Sequence, residues 1–242
     1  MRHARGMRVE RPQRFPVPPE LGLLGEALTW LAGTQGSWPP RVPHRVRAVD
    51  VREGAGIAAG RAAADALADA GVDLVVVEAS GDVTAATVVI CALLDLEPVS
   101  ALGTSTSVGW ARQVVAVRDG LRAARAHVGD PERLATDPVL GQLVGLLAQS
   151  AVRRTAVVLA GSPVIAAGAL VADRLEPGAR HWWLQGTSAT SPAARAAFAD
   201  AGLAPLLELG LSIPGGAALA ADLLIGGIDL ASRLHDPATK RV

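Results

Sequence analysis

Between residues 44 and 210, short β-branched runs alternate with longer Ala-rich stretches whose apolar positions recur at helical spacing. The predicted strands are 44–51, 73–79, 97–103, 155–161, 181–186 and 206–210. The run at 73–79 is nearly uninterrupted in Leu and Val, the pattern of a strand buried on both faces. The predicted helices cover 56–71, 84–94, 108–128, about 138–152, 163–175, 191–202 and 216–234. Pro163 falls near the first turn of its helix, where a missing N–H is tolerated. Arg112, Arg118, Arg122 and Arg125 share the polar side of the 108–128 helix. This alternation predicts an α/β fold, a Rossmann-like parallel sheet with helices on both faces.

Upstream, Leu21, Leu24, Leu28 and Leu31 mark a small N-terminal helical element. The stretch GSWPPRVP then ends it, because consecutive prolines cannot continue a helix. The chain therefore divides into a basic, Pro-rich leader expected to be poorly ordered (1–18), an N-terminal helix and linker (19–43), the α/β domain (44–234) and a tail (235–242).

Composition narrows the function classes. Half of the 242 residues are apolar, enough for a sizeable core, and Ala, Val and Leu supply most of them. Lys plus Arg and Asp plus Glu balance at 23 each, so no net field draws the chain to nucleic acid or anionic lipid. The single cysteine, Cys91, lies in the apolar run TVVICALL and reads as a small buried hydrophobe. Without Cys pairs there is no internal disulfide and no thiolate zinc site, and no two histidines have metal-ligand spacing. No stretch reaches the ~18 uncharged apolar residues of a membrane helix, and no apolar h-region follows the basic N-terminus. A cytoplasmic protein without metal or cofactor is expected.

In an open parallel sheet, ligands bind beyond the carboxyl ends of the strands. The loops predicted there are rich in small polar residues: Ser80, Gly81 and Asp82; Gly103, Thr104, Ser105, Thr106 and Ser107; Gly161 and Ser162; Gly186, Thr187 and Ser188; Gly215 and Gly216. Each precedes a predicted helix, where glycine admits a ligand to the backbone and free N–H groups attract an anion. The same Ser, Thr and Asp residues also suit ordinary helix N-caps, and both readings stand. The loop at 103–107, with four hydroxyls in a row, is the best single phosphate candidate. Glu78, ending a buried strand, and Glu208, in the last one, are the carboxylates that could face the cleft as a general base; ion-pairing with an arginine is their competing fate.

Taken together, these segments resemble one family. PPELGLLGEALTWLAGTQGSWPP is similar to the opening helix of the nicotinate-nucleotide:dimethylbenzimidazole phosphoribosyltransferases. DLVVVEASGDVTAAT resembles their strand and G-E/D-M-G-I-G-N-T-T loop, and LEPVSALGTSTSVGWAR their G-x-G-T-G loop. SAVRRTAVVLAGSPVIAAGALVADRLEPGARHWWLQG and AFADAGLAPLLELGLSIPGGAALAADLL resemble the later strands and the closing segment. The resemblance implies transfer of phosphoribose from nicotinate mononucleotide to a benzimidazole-type base, in synthesis of the lower ligand of cobalamin, by a homodimer. Departures fall at the loops. The A-G-D-H-G-V-A segment and the helices after it are missing between 51 and 56. The G-H-R-S-x-E-P-G-H run has lost its His, Arg and Glu between Gly186 and Ala193. Where the family reads G-E-G-T-G-A-A-L, this chain reads Pro214, Gly215, Gly216, Ala217, Ala218 and Leu219, without the Glu that serves these enzymes as general base. Two readings follow: a divergent transferase with Glu78 or Glu208 as substitute base, or a non-catalytic, nucleotide-binding or partner-subunit relative.

Overall fold

The β-branched runs form five parallel strands that lie side by side in chain order: β1 Val46–Val51, β2 Leu74–Ala79, β3 Ala156–Leu159, β4 Trp183–Thr187 and β5 Pro205–Leu207. The computed structural model describes residues 9–103, 108–189, 191–208 and 215–235. The helices are α1 Gly22–Gln35, α2 Gly56–Asp69, α3 Val83–Leu94, α4 Pro98–Leu102, α5 Val108–Ala124, α6 Pro131–Leu134, α7 Pro138–Val152, α8 Pro163–Leu175, α9 Pro192–Asp200 and α10 Gly216–His235.

Sequential order has a packing consequence. Crossovers between parallel strands are right-handed, so strands added in one direction place every connecting helix on the same face. The buried residues divide accordingly. Val75, Val77, Val157 and Leu159 point toward the crossover helices α3, α7, α8 and α9. Their alternates Leu74, Val76, Ala156 and Val158 point the other way, onto Leu28 and Leu31 of α1 and Ala220, Ala221 and Leu224 of α10. Helices thus cover both faces, and among the described residues the second cover is made by α1 and α10. Each fully buried Leu there contributes about 1.5–3 kcal/mol.

Small residues set the helix spacing. A Cβ on Gly60 of α2 would lie 1.9 Å from the Gln142 carbonyl oxygen, and one on Gly145 of α7 would lie 2.0 Å from that of Ile57. The two helices touch backbone to backbone, which only glycine allows.

Three stretches differ from the sequence reading. The segment 97–103, expected as a strand, is the short helix α4: Pro98 at its first position is pre-set for helix, and Glu97 before it is extended. At 181–186, a 3-10 turn over Ala179–Trp182 delays the strand to Trp183. Residues 9–18, expected as a poorly ordered leader, form an extended arm across α1. Gln13 N–H donates to Gly33 O at 3.2 Å, and Trp182 Nε1 donates to Glu10 O at 2.8 Å. Among the described residues, no helix is long and apolar enough to cross a membrane.

Candidate functional site

At the carboxyl edge of the sheet, the side-chain parity of β2 carries past Val76 to Glu78, on the α10 side. The half-buried Glu78 carboxylate reaches the start of that helix: Gly215 N–H donates to its Oε1 at 2.6 Å. Gly215 has φ +90°, a left-handed conformation that glycine adopts without strain. Among the described residues, this is the one hydrogen bond to the carboxylate.

The neighbouring strand ends close the floor. Thr187, at the end of β4, is buried, and its Oγ1 accepts from Gly161 N–H at 3.0 Å, tying the β3 loop to the β4 loop. A Cβ on Gly161 would sit 2.4 Å from Ser188 O, so these two loops also meet backbone to backbone. Ser188 N–H in turn donates to Leu207 O at 3.0 Å, and the Ser188 side chain is half-buried. A Cβ on Gly186 would lie 2.9 Å from Ala220 Cβ, and one on Gly216 would lie 3.0 Å from Thr187 Cγ2. Bare backbone at both positions lets α10 begin directly over β4.

The structure therefore brings together Glu78, Gly161, Gly186, Thr187, Ser188, Gly215 and Gly216. It gives two other candidates structural work. Asp82 caps α3, accepting from Thr84 N–H at 2.8 Å and Ala85 N–H at 3.0 Å. Ser162 caps α8, accepting from Ile165 N–H at 3.2 Å. At these two positions the capping reading holds. Gly81 is exposed beside Val139. Gly103 ends α4 with φ +71°, and its carbonyl accepts from Trp110 Nε1 at 2.7 Å. Thr104, Ser105, Thr106 and Ser107 lie outside the described residues. Glu208 follows β5 and is exposed, away from the Glu78–Gly215 contact.

One residue escaped the sequence reading. Gln185 is buried in β4, where its Nε2 donates to Thr187 O at 2.9 Å and holds the strand end that carries the latch to Gly161. Its signal was a lone amide in the otherwise apolar run HWWLQG.

A cavity of about 470 Å³ lies at the opposite, amino edge of the sheet, lined by Gln35, Arg41, His44, Asp73, Arg153 and Thr155 among others. Its ionic groups are mostly engaged within the fold. Arg153 pairs with Asp65 and Asp69, and Asp73 accepts from the backbone N–H groups of His44 and Arg45. The chemistry-bearing loops are at the carboxyl edge, so the site is placed there and not in this hollow.

A family model described as phosphoribosyltransferase matches residues 52–240. Nicotinate-nucleotide–dimethylbenzimidazole phosphoribosyltransferase of Mycobacterium tuberculosis is 41% identical over 179 residues, covering 71% of this chain and 49% of that protein. The enzyme of the same name from Mycobacterium avium is 43% identical over 177 residues, covering 70% of this chain and 50% of its own length. The chain spans about half the length of these relatives. The crystal structure of CobT from Thermus thermophilus superposes with a TM-score of 0.74 at 22% identity, over 91% of this chain and 93% of that one, a likeness of fold.

Proposed function

The chain belongs to the nicotinate-nucleotide–dimethylbenzimidazole phosphoribosyltransferase family, and from that premise we propose that its carboxyl-edge cleft binds nicotinate mononucleotide and transfers the phosphoribosyl group to a benzimidazole-type base. In this reading the base's unprotonated ring nitrogen attacks the ribose anomeric carbon and nicotinate leaves with the electrons of the broken bond. The proton on the other ring nitrogen passes to Glu78 Oε2. The observation that carries the proposal is the Glu78–Gly215 contact. Where the family motif bears its own Glu, this chain has Pro214 and Gly215, and a carboxylate from β2 arrives at the same loop. Glu78 is preferred over Glu208, which stands exposed beyond the edge strand. The phosphate falls to the hydroxyls of Thr104, Ser105, Thr106 and Ser188 and to the backbone at Gly103 and Gly161. The protein works in the cytoplasm as a homodimer.

A second reading, a nucleotide-binding relative without turnover, draws on the short link between β1 and α2. Only residues 52–55 join them, where the resemblance implies a base-pocket segment. One experiment separates the two readings. The purified chain is incubated with nicotinate mononucleotide and dimethylbenzimidazole, with product followed by chromatography and nucleotide binding by calorimetry. Turnover lost in Glu78→Gln with binding retained supports the transferase. Nucleotide binding without product in the unaltered chain supports the second reading, and absence of both refutes the two together.

A further inference from the structure

Three walls enclose a cavity of about 300 Å³ beside the amino end of β4. The arm at 9–18 gives it Arg11, Arg14 and Phe15, α1 gives Thr29 and Trp30, and the 3-10 turn before β4 gives His181. Each wall is bonded to both others. Gln13 N–H of the arm donates to Gly33 O of α1 at 3.2 Å, and Trp182 Nε1 of the turn donates to Glu10 O of the arm at 2.8 Å. Trp30 Nε1 of α1 closes the triangle, donating to His181 O at 3.1 Å. The hollow is thus held in shape by the fold itself, as small-molecule sites generally are.

Its polar groups are left without partners. Thr29 Oγ1 is buried and makes no hydrogen bond among the described residues, a state that native folds rarely tolerate without a reason. Glu10, the one acid of the arm, is taken by Arg154, and among the described residues Arg11 and Arg14 pair with no carboxylate. Their charge is felt inside the hollow. The His181 imidazole is held below its ordinary pKa, first by burial and then by Arg11, Arg180 and Arg14, with Asp173 opposing. The cavity therefore combines positive potential, an orphaned hydroxyl and two aromatic side chains.

We propose that this cavity binds a small aromatic carboxylate, with its ring against Phe15 and Trp30 and its anionic end met by Arg11, Arg14 and the Thr29 hydroxyl. The guanidinium fork matches the two oxygens of a carboxylate, and aromatic side chains favour a planar ring over an aliphatic chain. A volume of about 300 Å³ is at the lower limit of ligand pockets, which suits one or two fused rings. His181 precedes β4, so the site lies at the opposite edge of the sheet from Glu78 and Thr187 and does not depend on the catalytic reading.

Titration of the isotope-labelled full chain with benzoate, followed through its backbone amide resonances, tests the site. The expected result is saturable shifts centred on Arg11, Arg14, Phe15, Thr29, Trp30 and His181, with a Kd of about 1–10 mM for so small a probe. Neutral benzamide and ringless acetate should leave those resonances in place. Replacing both arginines, Arg11→Ala with Arg14→Ala, weakens benzoate binding about tenfold or more. The arm stays anchored in that variant, because its anchors are the backbone groups of Glu10 and Gln13. Arg41→Ala, outside this cavity, leaves binding unchanged. Thr29→Val weakens binding yet raises the Tm of the ligand-free chain, because the unpartnered hydroxyl is gone. Absence of saturable shifts at these residues overturns the proposal, as does equal binding of benzamide or acetate, or binding undiminished by the arginine or Thr29 substitutions. Turnover is measured separately, so failure here leaves the transferase reading standing.

Discussion

Replacing Glu78 by Gln keeps the shape that meets Gly215 and removes the proton acceptor. The amide oxygen can still accept from Gly215 N–H, now at 2.6 Å from a carboxylate oxygen. A hydrogen bond to a charged group is worth about 1.5–3 kcal/mol and a neutral one about 0.5–1.5, so the stability cost is about 1 kcal/mol. For a chain of this size that lowers Tm by roughly 2–4 °C. The chemical cost is far larger. A positioned general base supplies ~10²–10⁴ in rate, which at about 1.36 kcal/mol per decade is ~2.7–5.4 kcal/mol of barrier. Nucleotide affinity should stay within about threefold, because the proposed phosphate contacts lie on other loops. The assay is single-turnover formation of the phosphoribosylated base, with calorimetric nucleotide binding and a thermal melt on the same preparation. Turnover in Glu78→Gln within tenfold of the unaltered chain refutes the role assigned to this carboxylate. Loss of turnover in Glu208→Gln instead would move the base to the edge strand.

Three further outcomes follow from the packing. Thr187→Val leaves Gly161 N–H without its partner, costing about 1–3 kcal/mol in urea unfolding, whereas Thr187→Ser, which keeps the hydroxyl, recovers most of that loss. Gly145→Ala forces a methyl to 2.0 Å from Ile57 O and costs about 1–3 kcal/mol or more; Gly226→Ala, in open space on a helix, stabilises by about 0.5–1 kcal/mol instead. The Cys91 thiol is pushed up to about 11, first by burial and then by nearby Glu97, with Arg125 opposing. The thiolate is the reactive form, so at pH 8 the native chain should resist a thiol reagent that reacts fully once guanidinium unfolds it. Immediate stoichiometric reaction of the native protein would contradict the burial.

The layered architecture was legible because β-branched runs such as Val75–Val77 have few alternatives in an α/β chain, and Ala-rich stretches pack closely on a sheet. The segment 97–103 was not. Its apolar residues fit either period over so short a run, and the rigid φ of Pro98 decides for helix. Strand order was equally hidden, since nothing local in a strand records its neighbour. The loops divided by range of interaction. Asp82 and Ser162 bond to N–H groups two or three residues on, and the capping reading available in the sequence accounts for them. Glu78 meets a partner 137 residues away, and only the fold brings that pair together. The arm at 9–18 looked like a solvated basic segment because its anchors are backbone groups, the Glu10 carbonyl and the Gln13 N–H, and their partners Trp182 and Gly33 are distant in sequence.

Strand order also decides what makes the cleft. In a doubly wound sheet the ligand crevice opens where the order reverses and crossovers leave on opposite faces. This sheet runs β1 to β5 without reversal, so its topology supplies no such crevice. The carboxyl edge acquires a second wall only because α10 returns on the far face and starts there, at Gly215 and Gly216. What seats that wall is contact between small groups: Gly186 against Ala220, Gly216 against Thr187, and Gly227 against Leu24 of α1. The site therefore depends on α10 more steeply than the fold does. A change that lifts this helix slightly, such as Gly186→Ala with its Cβ 2.9 Å from Ala220, separates Glu78 from Gly215 while the five-stranded sheet and its crossover face remain packed. Its expected signature is loss of turnover at temperatures well below the melt, and parallel loss of both would show that α10 and the sheet unfold as one unit.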